Sequence, residues 1–321
     1  MQIDEISAVV ADDMALVEQS IIENRKSAVS LAVEVADHIG EGGKRLRPLV
    51  VILCARACGY EGDDHICLAT VIEYVHTATL LHDDVVDESS LRRGKPTANQ
   101  QFGNSASILV GDFLYSRAFE LMILPANLKI LTTLAHATNI IAQGEVLQLM
   151  NRHNPYITPE TYLQIIQSKT GQLFGVAGHI AGILGDLSDA ESKQLQAYGM
   201  HLGTAFQLID DVLDYNAETI QLGKNIGDDL AEGCPTLPLI YALEHGTEEQ
   251  RSHIRHCIQK GELEGLELIQ EIIESVGAID YATAQAIEQS EKAKEAIRFL
   301  PASPYKIALE KLADFAISRK Y

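Results

Sequence analysis

Basic residues are scarce in this chain: 25 Lys and Arg stand against 45 Asp and Glu, giving a formal charge of −20. A surface so acidic repels phosphate backbones and anionic lipid, which argues against nucleic acid or an anionic membrane as the main partner. Long apolar runs are absent too, none approaching the roughly 18 residues needed to span a bilayer. The start, Met1-Gln2-Ile3-Asp4-Glu5, has neither the basic nor the apolar region of a signal peptide. The five cysteines are odd in number and form no CxxC pair. Cys54 and Cys58, four apart on an apolar stretch, read as reduced core thiols rather than a disulfide framework or a zinc site. These absences predict a cytoplasmic protein. Low-complexity tracts, linkers and repeats of fixed period are also missing. So is the apolar–polar alternation of half-buried strands.

What remains is helical periodicity. Ile6, Val9, Val10, Met14, Val17 and Ile21 recur at three- and four-residue steps over 4–23, as one buried helix face requires. The pattern returns at roughly 48–58, 64–87, 104–122, 127–150, 159–184, 189–215, 235–244 and 248–260, then in three shorter helices. Glycine and proline fall between these segments, as at Gly40–Gly43 before Pro48, Thr158-Pro159, and Gly233-Cys234-Pro235. With 46% apolar residues over 321 positions the chain can bury a large core. The expected fold is all-α: one domain over 1–321, a large helical bundle.

Two acidic clusters carry the chemistry. Asp83-Asp84-Val85-Val86-Asp87 and Asp210-Asp211-Val212-Leu213-Asp214 are both DDxxD, each at the end of a long apolar helix pattern. Asp83 and Asp87 share one helical face, as do Asp210 and Asp214, so each pair repels itself unless a cation compensates. Oxygen-only ligands with an open coordination sphere suit Mg²⁺, which keeps waters and takes the rest from substrate phosphates. His76 lies two turns before Asp83, and Gln207 lies four residues before Asp211; both interrupt apolar stretches and read as the wall of a cavity. Six of the 25 basic residues crowd two places: Lys44, Arg45 and Arg47 at a glycine-rich helix start, and Arg92, Arg93 and Lys95 after the first acidic cluster. Such cations beside glycine backbone make phosphate subsites. The nucleotide pattern GxxxxGK[ST] is missing, as are GxSxG and HExxH. A weaker strip, Ser168-Lys169-Thr170-Gly171-Gln172, places a Lys and a hydroxyl at a break in the apolar pattern.

Taken in order, Gly42-Gly43-Lys44-Arg45-Leu46-Arg47-Pro48, the two DDxxD motifs, Arg92-Arg93-Gly94, Lys169-Thr170, Phe206-Gln207 and Gly223-Lys224 resemble the trans-prenyltransferases, the E-polyprenyl diphosphate synthases. The likeness runs over nearly the whole chain. It implies an isoprenoid-synthase bundle with a central cavity, and repeated head-to-tail condensation of isopentenyl diphosphate onto an allylic diphosphate such as farnesyl diphosphate. The implied product has octaprenyl length and serves a quinone side chain. By resemblance Asp83, Asp84, Asp87, Asp210, Asp211, Asp214 and Lys169 are catalytic, and Asp83, Asp87, Asp210 and Asp214 hold two or three Mg²⁺ ions on the substrate diphosphate. Lys44, Arg47, His76 and Arg93 resemble the isopentenyl diphosphate site. Arg92, Lys169, Thr170, Gln207 and Lys224 resemble contacts to the allylic diphosphate, while Arg45 matches the motif with a structural role as its alternative. The resemblance further implies a homodimer, with only transient membrane contact for product release.

The family also suggests where chain length is set. Ala78 and Thr79, five and four residues before Asp83, are not aromatic and so are permissive; Met122 and Leu134 are candidates for a deeper floor. One position departs from the family pattern: Cys234 stands in Glu232-Gly233-Cys234-Pro235 where a Lys is usual. The resemblance then implies weaker allylic binding, compensated by Lys169 and Lys224. Three other readings stay open at this stage: a terpene cyclase or head-to-head synthase, an HD phosphohydrolase built on His82-Asp83, and a non-catalytic partner of another synthase. The second DDxxD with the Gly42–Pro48 subsite, the need for further histidine ligands where His76 is the only near candidate, and the intact metal motifs weigh against them respectively.

Overall fold

A computed structural model of the chain describes residues 3–40, 43–92, 94–215, 227–261 and 263–319. Helices dominate, as the periodicity requires. The chain divides into two compact units, one of Met1–Thr138, Leu173–Gly199 and Lys294–Leu312, the other of Asn139–Gln172, Met200–Ala293 and Ala313–Tyr321.

In the first unit the helix Leu46–Ala57 is apolar apart from Arg47 and Arg56 and is buried accordingly, with Leu49 through Ala55 fully inaccessible. The helix Asp64–Val86 packs against it and along Asn104–Met122. Ser107 Oγ donates to Leu81 O at 2.9 Å and Cys67 Sγ to Leu121 O at 3.5 Å, so these two side chains are satisfied within the packing. Cys54 is buried and Cys58 half-buried, both unpaired thiols, as their spacing predicts.

In the second unit the helix Asp189–Leu213 contributes Leu208, Ile209 and Val212 to a cluster with Tyr162, Ile165 and Ile166 of Pro159–Ile166 and with Leu237 and Ile240 of Leu237–His245. Thr158 caps Pro159–Ile166, accepting from Thr161 N at 3.2 Å. A second cluster gathers Ile254, Ile258, Ile269, Ile272 and Ile273 around Tyr215.

Several local features differ from the periodicity: the helix Ser30–Gly40 lies outside the segments it marks, and 4–23 is broken by a 3₁₀ turn at Ala8–Val10. The stretch 159–184 is not one helix: Pro159–Ile166 and Gln172–Leu184 are joined by a π-helical turn, Gln167–Gly171. The polar strip at Ser168–Gln172 marks that turn, and π turns widen the backbone at such points. The chain also forms a minimal antiparallel hairpin, Leu91–Arg92 with Lys95–Pro96, turning through Gly94 at φ +73°. Strands of two residues are too short to show alternation.

Candidate active site

The first DDxxD closes the helix Asp64–Val86. Asp87 N donates to Asp83 O at 2.7 Å and Glu88 takes a left-handed φ of 53°, so the three carboxylates stand at the negative end of the helix. That placement is unfavourable for an isolated helix and attractive for cations. Asp83 and Asp87 are half-buried, whereas Asp84 is fully buried. Arg92 grips Asp84 from the hairpin, donating through Nε at 2.9 Å and Nη2 at 2.8 Å to the same oxygen, Oδ1. Asn99 Nδ2 donates to Asp84 O at 3.0 Å, and Thr97 Oγ1 to Ser89 O at 2.7 Å, which fasten the segment after the motif. The hairpin that periodicity misses is thus what brings Arg92 back to Asp84.

The glycine-rich helix start divides into roles. Arg45 donates to Glu18 Oε1 at 2.7 Å, to Glu73 Oε1 at 2.5 Å and to Gly40 O at 3.0 Å, which makes it structural. Lys44 beside it is exposed. Arg47 lies 3.0 Å from His76 Nε2, and its guanidinium stacks 4.6 Å from the centre of the Phe174 ring. A planar donor held by a ring and an imidazole is pre-oriented for an anion. Among the predicted isopentenyl subsite residues the structure therefore joins Arg47 and His76 directly; Arg93 lies outside the described residues.

The second DDxxD closes Asp189–Leu213. Asp211 is almost fully buried, accepting from Tyr162 Oη at 2.5 Å and from Gln207 Nε2 at 2.8 Å. Burial pushes its carboxyl up to about 7 against the pull of those two hydrogen bonds. Gln207 in turn accepts from Thr170 Oγ1 at 3.0 Å. Thr170, Gln207, Asp211 and Tyr162 thus form one chain of hydrogen bonds, in which Asp211 organises its neighbours. Asp210 is a quarter exposed and is held by Arg319, whose Nη1 donates to Oδ1 at 3.0 Å. Asp214 accepts from the backbone N–H groups of Asp228 at 3.2 Å and Asp229 at 3.4 Å.

Lys169 projects from the π turn and pairs with Glu145 at 2.7 Å. Close backbone approach makes this possible: a Cβ on Gly144 would lie 2.7 Å from Ser168 Cβ, and one on Gly171 would lie 2.7 Å from Met200 Sδ. Lys224 lies outside the described residues. Cys234 receives Gln148 Nε2 at 3.3 Å, and burial pushes its thiol up to about 11, so it stays neutral. Of the chain-length residues, Ala78, Met122 and Leu134 belong to the core of the first unit and Thr79 is half-buried, its Oγ1 donating to His76 O at 2.8 Å.

The donor set fits a hard divalent cation. Every motif ligand is a carboxylate oxygen, and Asp84 Oδ2 is a buried oxygen without a hydrogen-bond partner. Among the described residues no three His, Cys, Asp or Glu side chains converge into a closed site. Tyr162, Phe174, Asn99, Glu145 and Arg319 were not expected from the sequence. Only Glu145 carried a signal, as the acid following a glycine in an otherwise apolar helix.

Helical bundle, paired aspartate motifs and pre-oriented cations together define a class. A family model described as polyprenyl synthetase matches residues 29–276, and the chain belongs to that family. It is 50% identical over 323 residues to the octaprenyl diphosphate synthase of Escherichia coli (strain K12), covering 99% of each chain. It is 47% identical over 317 residues to the all-trans-nonaprenyl-diphosphate synthase (geranyl-diphosphate specific) of Rhodobacter capsulatus, covering 98% of this chain and 97% of that enzyme. Among solved structures, the polyprenyl synthase of Caulobacter crescentus CB15, complexed with calcium and isoprenyl diphosphate, is 43% identical. It superposes with a TM-score of 0.93 over 100% of this chain and 98% of that one. The all-α fold and the transferase class follow, as the motif order implied.

Proposed function

We propose that the chain, acting over 1–321 as one catalytic domain, elongates farnesyl diphosphate with isopentenyl diphosphate to octaprenyl diphosphate for a quinone side chain. The observation that supports this most is the 50% identity to an octaprenyl diphosphate synthase across 99% of both chains. Lys44, Arg47, His76 and Arg93 bind isopentenyl diphosphate. Lys169, Thr170 and Lys224 bind the allylic diphosphate, which Arg92 and Gln207 serve through the carboxylates they hold. Asp83, Asp87, Asp210 and Asp214 would hold Mg²⁺, which when bound offsets charge developing on the departing diphosphate. The allylic C–O bond then ionises, and the double bond of isopentenyl diphosphate, positioned by Arg47, attacks the cation. Loss of a proton to the released pyrophosphate regenerates an allylic diphosphate one isoprene unit longer. Incubating the protein with both diphosphates and Mg²⁺ and resolving the products by chromatography tests this reading; an absence of elongation ends it.

Homodimerisation and cytoplasmic location belong to the same proposal. Val146, Leu149 and Met150 are exposed on Leu128–Asn151, an open apolar stretch of helix surface. An apolar face of this kind suits a second copy. No helix among the described residues is long and apolar enough to cross a membrane, consistent with no more than transient contact for product release.

Two substitutions probe the finer points. Cys234→Lys adds a charge-assisted donor in place of a neutral thiol and is expected to lower the allylic KM about 10-fold. Steady-state kinetics with an unchanged KM would show that no cation is lacking there. Ala78→Phe introduces a ring at a fully buried position below the first motif and costs about 1–3 kcal/mol in overpacking. It is expected to shorten the product, read by chromatography of chain lengths; an unaltered product removes Ala78 from the tail's path.

A further inference from the structure

Arg319 follows the helix Pro304–Ser318 and stands 109 residues from Asp210 in sequence. Its side chain is 3% exposed, far more buried than the acid it meets, which is 26% exposed. The guanidinium is held on several sides. Nη1 donates to Asp210 Oδ1 at 3.0 Å, Nη2 to Phe206 O at 2.6 Å and Nε to Ala316 O at 3.2 Å. Its plane lies over the Phe206 ring, 3.3 Å from the centroid. Phe206 and Asp210 are four apart on Asp189–Leu213, so the fork spans a backbone carbonyl and a carboxylate on one helix face.

Burying a guanidinium is costly, and an apolar residue of similar size would often serve stability as well. What an apolar residue cannot do is fix a carboxylate. A planar fork with stacked face and committed donors restricts the rotation of the Asp210 side chain in a way that a flexible ammonium cannot. We infer that Arg319 is a positioning residue: it sets the Asp210 carboxylate in the orientation from which the second motif engages the metal-bound diphosphate. This rests on the prenyl-transfer reading above and adds to it a residue that touches neither substrate nor metal.

The test compares Arg319→Ala, Arg319→Gln and Arg319→Lys with the wild-type full-length chain. Binding of inorganic pyrophosphate with Mg²⁺ is measured by titration calorimetry, and kcat and KM with farnesyl and isopentenyl diphosphates. Misplacing a catalytic group costs rate chiefly in the chemical step. Arg319→Ala and Arg319→Gln are therefore expected to lose about 10- to 100-fold in kcat, with the isopentenyl KM within about 3-fold. Pyrophosphate–Mg²⁺ affinity is expected to fall about 10-fold, and Arg319→Lys to recover only part of either loss, since charge alone does not restore the fork. Melting temperatures accompany each variant. Wild-type kcat and pyrophosphate affinity in Arg319→Gln overturn the inference, as does full recovery in Arg319→Lys. If the wild-type chain itself fails to elongate, the proposed function falls, while the pyrophosphate titrations still decide the role of Arg319.

Discussion

Asp83→Ala and Asp210→Ala are each expected to lower kcat by at least about 1,000-fold, the scale on which loss of charge stabilisation at a leaving group is felt. The two residues open their motifs at the C-terminal ends of Asp64–Val86 and Asp189–Leu213. There the helix dipole adds its negative end to three carboxylates, a repulsion that Arg92 on Asp84 and Arg319 on Asp210 offset in part. Asp210→Ala should also lower the stability of the folded chain, because it strands the buried guanidinium of Arg319. The signature is a dead enzyme in both variants, with a lowered melting temperature in Asp210→Ala. Chromatographic assay of isoprenoid products together with thermal melting in chelator checks both halves. Turnover within 10-fold of wild type in either variant would remove the aspartates from the chemistry.

Arg92→Leu is expected to act on stability as well as rate. Asp84 is fully buried and Arg92 is 31% exposed, with both guanidinium contacts landing on Asp84 Oδ1. Taking away the partner of a buried charge typically costs about 3–5 kcal/mol; the partial exposure of Arg92 places the expected loss at about 2–4 kcal/mol. Rate should fall about 100-fold, because the motif is no longer held by the hairpin. The double variant Asp84→Asn/Arg92→Leu separates the two effects: with the stranded charge neutralised, most of the stability returns while the rate does not. Urea unfolding of the three variants measures the first, product assays the second. An Arg92→Leu chain as stable as wild type would mean that Asp84 finds another partner.

The helices and the two motifs were legible because both are local. A 3.6-residue period and an i, i+4 carboxylate pair are complete within one stretch of chain. Legibility ended where contacts join distant stretches. Nothing in the spacing of Tyr162 and Asp211, or of Arg319 and Asp210, announces that they meet. Those contacts exist because packed helices bring them together: Tyr162 satisfies the buried Asp211 carboxyl, and Asp210 the buried Arg319 guanidinium. The hairpin at Leu91–Pro96 escaped for another reason: its pairing involves only two residues on each side. Arg45 is intermediate. Its neighbours Gly43 and Lys44 suggested a phosphate site, yet Glu18 and Glu73 claim its donors.

The pairing of Lys169 with Glu145 has a consequence for the rhythm of repeated condensation. A lysine already engaged offers an arriving diphosphate only the difference between two ion pairs, not the whole attraction of a bare ammonium. As the diphosphate departs, the Lys169 ammonium can return to Glu145. For a chain that must seize, release and re-seat a diphosphate at every added unit, moderated grip favours motion over retention.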